Sequence, residues 1–196
     1  LAAGVAAAGE APLPASLRAR PHAVVLACGE ANAWARDAGG PPPEIIHWVA
    51  VRPANDARFE AVIAPKGPLA PSCPHHLGLD PTELARGEPI DSFARRWRAF
   101  AEPGDLVVTW GGFAADVLER QGVGLGERVD LRIPALRHLR ERAGALEVCA
   151  RELGAIDASL GKGRAGRRLG WLRGVFEGLE ARSPLPAGEA HANGER

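Results

Sequence analysis

The stretch His22-Ala-Val-Val-Leu-Ala-Cys28 decides the fold. Behind the leading histidine every residue is apolar, with none of the polar alternation of a half-solvated strand. A run this short and uniform reads as a central strand covered on both faces. Downstream, the Gly/Pro loop GGPPP leads into EIIHWVAV (residues 44–51), a second strand. A turn holding Pro53, Asn55 and Asp56 separates it from ARFEAVIA (57–64), which alternates in character. Two strands joined by so short a turn are expected as antiparallel neighbours.

Residues 65–89 contain six prolines and read as loop, with room for helical turns at Pro74–Leu77 and Pro81–Arg86. The period then becomes helical. Phe93, Trp97 and Phe100 recur at i, i+4, i+7 on one face, with Asp91 placed as the N-cap. PGDLVVTWGG (103–112) reads as turn, buried strand and glycine exit. Phe113–Arg120 follows as a helix, RVDLRI (128–133) as a short strand, and Pro134–Arg142 and Ala145–Leu153 as further helices. A last helix is expected over Arg164–Ala181, burying Leu169, Leu172, Val175, Phe176 and Leu179. Strands first, then strands alternating with helices, predict an α/β domain with a mixed sheet.

The chain's 196 residues suit one domain, predicted over residues 19–181. Residues 1–18 and 182–196, rich in Ala, Pro and Gly without periodicity, are expected to be flexible tails. The opening segment has no basic n-region, so a tail is favoured over a signal-peptide remnant. With 24 basic and 24 acidic residues the formal charge is zero, and 46% apolar content excludes wholesale disorder. The apolar runs fall far short of the ~20 residues that span a bilayer. Three cysteines, Cys28, Cys73 and Cys149, form no CxxC, which argues against a disulfide framework or zinc ribbon and for a reducing cytoplasm. Only Lys66 and Lys162 are lysines, a bias that points to a GC-rich genome.

The order and spacing of these pieces resemble the DEDD-type 3′–5′ exonucleases of the ribonuclease H-like superfamily, over about His22 to Leu179. VVLACGEAN stands where the family has an apolar strand ending in Asp-x-Glu, and PPPEIIHWVAV resembles its Pro-Glu-Ile-Ile segment. FEAVIAPKGPLAPSCPHHLGLDPTELARGEPI, DLVVTWGGFAADVLER and GKGRAGRRLGWLRGVF follow in the family's order. The resemblance implies a mixed five-stranded sheet flanked by helices. It also implies two divalent cations, Mg²⁺ or Mn²⁺, held by carboxylates from three elements, and a histidine or tyrosine on the last helix that deprotonates the attacking water.

This sequence departs from that chemistry. The family's first Asp falls on Cys28 and its paired Glu on Glu30; the third acid falls on Ala114. The general-base His falls on Gly166 and the last Asp on Trp171, so Glu30 alone is retained. One carboxylate cannot hold Mg²⁺ against its hydration shell, and Cys28 is too soft a ligand. Asp116 lies about 200° round the helix from Ala114 and should not substitute. The expectation is a pseudoenzyme without cofactor that binds single-stranded nucleic acid or a protein; the rivals are an active metal-dependent exonuclease and a structural subunit, as in a homodimer.

Two clusters remain. Cys73, His75 and His76 lack a fourth ligand at zinc spacing. Lys162, Arg164, Arg167 and Arg168 sit at a helix start, where backbone N–H groups favour anions. Ten basic and four acidic residues between Leu131 and Arg173 add to a local +6. The alternatives are a solvated arginine face and a phosphate-binding patch.

Overall fold

The computed structural model describes residues 12–34, 39–139, 144–155 and 158–183. In chain order they form α1 (Ala15–Ala19), β1 (Val24–Asn32), β2 (Glu44–Arg52), β3 (Ala57–Val62), α2 (Cys73–Leu77), α3 (Pro81–Ala85) and α4 (Ile90–Phe100). Then come β4 (Leu106–Thr109), α5 (Phe113–Arg120), β5 (Glu127–Asp130), α6 (Arg132–Leu139), α7 (Leu146–Glu152) and α8 (Gly163–Glu180). The sheet order is β3-β2-β1-β4-β5, antiparallel across β3, β2 and β1, and parallel from β1 to β4 and β5. This is the mixed five-stranded sheet that the resemblance implied.

The central strand is buried on both faces because its two side-chain sets meet different layers. Val24, Leu26 and Cys28 face a core completed by Leu169, Leu172, Val175 and Phe176 of α8 and by α7. Val25 and Ala27 face the other layer, where Phe93 and Trp97 of α4 are almost completely buried. There Trp97 meets Trp48 edge-on at 5.7 Å and Phe59 at 5.4 Å. Each such pair adds roughly 0.5–1.5 kcal/mol to plain burial. All five residues expected on the inner face of the last helix are buried.

Three expectations need correction. β1 starts at Val24, because Pro21–Ala23 form a 3₁₀ turn. α4 starts at Ile90 after Pro89, and Asp91 lies in its first turn without capping it. The segment expected to be a free tail up to residue 18 is anchored from Pro12 onward. Leu13 and Leu17 are fully buried in the α8 core, and the Leu13 N–H donates to Ser183 Oγ at 3.0 Å. Two leucines four apart are enough to pin a one-turn helix whose surroundings read as low complexity. Residues 1–11 and 184–196 lie outside the described residues, as does the end of the helix expected to reach Arg142.

α8 sits close to its neighbours because of a glycine stripe, Gly166, Gly170, Gly174 and Gly178, at the i, i+4 spacing of one helix face. A Cβ at Gly170 would lie 1.6 Å from Ala158 O, and one at Gly166 would lie 1.9 Å from Gly161 O. The Leu160 N–H donates to Gly166 O at 3.0 Å. The chain entering α8 therefore runs directly along the helix. Glu60 of β3 adds a second clamp, accepting the Lys162 N–H at 3.0 Å and bonding His47 Nε2 at 3.1 Å.

Candidate functional site

A cleft of about 520 Å³ opens at the carboxyl end of β1, between the starts of α5 and α8 and beside α2. It lies where parallel β4 and antiparallel β2 flank β1, the kind of switch point that opens a crevice in an α/β sheet. The ladder between β1 and β2 slips here: Glu30 pairs with His47 and Ala31 with Ile45, leaving Ile46 as the extra residue. Such a bulge re-aims side chains at strand ends. Gly29 lets two elements close on the strand, since a Cβ there would lie 2.5 Å from the Trp48 ring and 3.2 Å from the Ala114 methyl.

Glu30 forms the floor and is only 5% exposed. Its Oε2 lies 3.5 Å from Arg164 Nη1 and its Oε1 lies 3.4 Å from Arg168 Nη1. The two arginines stand four residues apart on one face of α8, which is why both reach the same carboxylate. Arg164 also contacts His76 Nε2 of α2. Ala114 lines the cleft, as do the aromatic residues Trp34, Trp110 and Phe113. Cys28 lies beneath Glu30 on the same face of β1, fully buried. Burial pushes its thiol up to about 12; Arg168 opposes this and Glu30 reinforces it. The thiol stays protonated at neutral pH.

The other candidates divide. Gly166 faces the Gly161 backbone and does not line the cleft. Trp171 packs against the large core cluster one turn beyond Arg168, also outside the cleft. The α8 residues that reach Glu30 are Arg164 and Arg168, not Gly166 or Trp171. GRAGRR holds no acid or histidine that would anchor a register. Lys162 pairs with Glu83 of α3, and Arg167 is exposed outside the cleft. The expected anion site at the helix start already holds a carboxylate, Glu60, at the Lys162 N–H. Asp116 pairs with Arg128 at 2.7 Å, turned away as the helical spacing required. Cys73 is buried in the small cluster around α2, while His75 and His76 are exposed.

The divalent cations that the resemblance implies would have to be held by these donors. A two-cation centre needs several anionic oxygens. The cleft offers one carboxylate, and a guanidinium faces each of its oxygens. Among the described residues no three His, Cys, Asp or Glu side chains are grouped to hold an ion. The donor set does not fit a divalent pair.

Sequence reasoning missed the aromatic wall. Trp110 and Phe113 were read as part of a fold signature, yet Phe113 is 60% exposed beside the cleft. A large apolar residue directly after a Gly-Gly exit, at the outset of a helix, is the available signal.

No family model and no curated protein matches the chain. Solved structures do. The nuclease domain of 3′hExo, a DEDDh family member solved bound to rAMP, superposes with a TM-score of 0.61 at 14% identity, covering 83% of this chain and 94% of that one. The fold is that of a DEDD-type exonuclease domain. A 3′-exonuclease solved in 3′-end recognition of histone mRNA stem-loop gives 0.63 at 15% identity, with 83% of this chain and 65% of that one covered. Exonuclease X in complex with 5′-overhanging duplex DNA gives 0.58 at 10% identity over 81% and 92% of the two chains. Among the described residues no helix is long and apolar enough to cross a membrane.

Proposed function

We propose that this exonuclease-like domain binds single-stranded nucleic acid and does not cut it. The observation that carries the proposal is the convergence of Arg164 and Arg168 on Glu30, at the end of β1 where the exonucleases would gather acids around metal ions. Counting from the arginine that meets Glu30, we place Arg168 at the family's last acid and Gly163, five residues earlier, at its general base. Cys28 and Ala114 take the other two acid positions. None of those four residues offers a carboxylate or imidazole to accept the proton of an attacking water. Two guanidiniums, charged at any relevant pH, supply fixed positive charge for phosphate and can bind it through paired N–H groups. Trp110 and Phe113 offer ring faces on which unpaired bases can stack.

The net charge of the chain is zero, so attraction comes from the local cationic site and not from a general field. Affinity is therefore expected at roughly micromolar or weaker, falling steeply with salt as counterions are released. The test pairs fluorescence anisotropy on a labelled single strand at two salt concentrations with a degradation assay in Mg²⁺ and Mn²⁺. Wild type should bind, Arg164→Ala/Arg168→Ala should bind less, and no product should form. Turnover abolished by Glu30→Gln would overturn the non-hydrolytic half of the proposal. Equal affinity for wild type and double variant, or no salt dependence, would overturn the nucleic-acid half and leave a protein partner as the occupant.

A further inference from the structure

We infer that the cleft reads a strand end bearing a terminal phosphomonoester, and that Glu30 acts there as a built-in competing anion. The inference rests on the binding function proposed above and narrows its ligand. Three observations lead to it.

First, the cleft has a closed floor. Gly29, Glu30 and Ala31 of β1 form it, with the ladder to β2 continuing along the same strand. A volume of about 520 Å³ is within the range that encloses one small ligand, which suits a terminal nucleotide and not a run of them.

Second, the arginines are under-used. Each meets Glu30 through one nitrogen at 3.4 or 3.5 Å, longer than the ~2.7–2.9 Å of a tight charge-assisted pair. A guanidinium has five N–H donors in a planar fork, so most donors on both remain for an incoming anion. Glu30 is 6% exposed at its side chain, while Arg168 and Arg164 are 28% and 34% exposed. An anion entering from solvent therefore meets the guanidiniums first, with Glu30 behind them.

Third, the charges facing each other are two positive and one negative. The surplus of one positive charge discriminates by ligand charge. An internal phosphodiester carries one negative charge, whereas a phosphomonoester carries about −1.5 to −2 at pH 7 and offers three terminal oxygens. The monoester's third terminal oxygen lets the two forks bind with less sharing than the two non-bridging oxygens of a diester allow. Phe113 and Trp110 then flank the position of the adjoining base.

The test is competition against a labelled single strand bound to the full chain at fixed salt. The competitors are unlabelled strands of one sequence carrying a 3′-phosphate, a 5′-phosphate or hydroxyls at both ends, together with inorganic phosphate. One phosphorylated strand should compete about tenfold better than the hydroxyl-ended strand, the gain typical of an added charge-assisted bond. Which strand wins identifies the end that is read. Glu30→Gln should improve the phosphorylated competitor about tenfold further, because it removes one negative charge beside the site. Arg168→Lys, which keeps charge but loses the fork, should erase the preference while leaving weak binding. Thermal melting of each variant verifies that it is folded.

Equal competition by all three strands would overturn the inference and leave strand binding standing. Failure of every strand to compete would overturn the binding function itself. Inorganic phosphate as effective as the phosphorylated strand would overturn the assignment to a strand end. Weaker binding by a folded Glu30→Gln would overturn the role given to that carboxylate. Should that variant not fold, an Arg168→Lys protein that retains full preference overturns the inference by itself.

Discussion

Replacing Gly166 by alanine tests whether the glycine stripe positions α8. Two effects oppose each other. In a free helix the change would stabilise by about 1 kcal/mol, because alanine is the better helix former. In this protein the new methyl would lie 1.9 Å from Gly161 O, against 3.4 Å for ordinary contact. The obstacle is backbone, so no rotamer change relieves it. Gly161 is itself crowded, since a Cβ there would lie 3.2 Å from Val49 and 3.3 Å from Glu60. Overpacking of this kind costs roughly 1–3 kcal/mol. Pushing the loop away also breaks the bond from the Leu160 N–H to Gly166 O, worth about 1 kcal/mol. The clash wins, and Gly166→Ala should be destabilised by about 1–3 kcal/mol. Urea unfolding followed by tryptophan fluorescence reads this as a lower midpoint at unchanged slope. A variant as stable as wild type, or more stable, would refute the close approach and with it the account of how Arg164 and Arg168 are aimed.

Arg52 and Asp105 form a buried bidentate pair, 3.0 and 2.5 Å long, and Arg52 also donates to Phe100 O at 2.6 Å. Arg52→Ala leaves Asp105 buried and uncompensated, so a loss of about 3–5 kcal/mol is expected in chemical denaturation. Cys28, its thiol pushed up to about 12, should resist alkylation at pH 8 in the folded protein and react once urea unfolds it. Mass spectrometry of the labelled peptide checks this. Burial lowers the pKa of His47, while its bond to Glu60 opposes the shift. The unfolded chain therefore takes up the proton first as pH falls, and stability present above about 6.5 declines below it. Midpoints measured from pH 7.5 to 5 should show a smaller decline in His47→Leu than in wild type.

The sheet was legible because its strands advertise themselves. A short, uniformly apolar run with no alternation, bounded by a Gly/Pro loop, reads as a doubly covered strand, and the short turn over residues 53–56 joins β2 to β3 as a hairpin. The last helix was legible in extent, since its apolar residues recur at helical spacing, but not in register at its start. Gly163, Gly166 and the arginines between them are equally compatible with several alignments when the acids that would fix one are missing. What decides the register is the distance to Glu30, separated from Arg168 by 138 positions. The glycine stripe was hidden for a different reason. In a chain with 24 glycines, four at a spacing of four look like composition until the segment packed against them is seen. The anchoring of Leu13 and Leu17 was hidden because burial by a partner distant in sequence leaves no local period.

The pairing of the Leu13 N–H with Ser183 Oγ bears on how the molecule is made. Chains emerge from the ribosome at roughly 5–20 residues per second, amino end first. The strands up to Thr109 can pair early, but the face of β1 that carries Leu26 and Cys28 stays bare until α8 follows. Leu13 and Leu17 wait longest, for they dock on a helix about 150 residues further along. The arginines arrive on that same helix. A truncated translation product would therefore have a sheet but no cationic cleft, with an apolar surface in its place for a chaperone to hold. Arrival of α8 closes the core and forms the cationic cleft in one step.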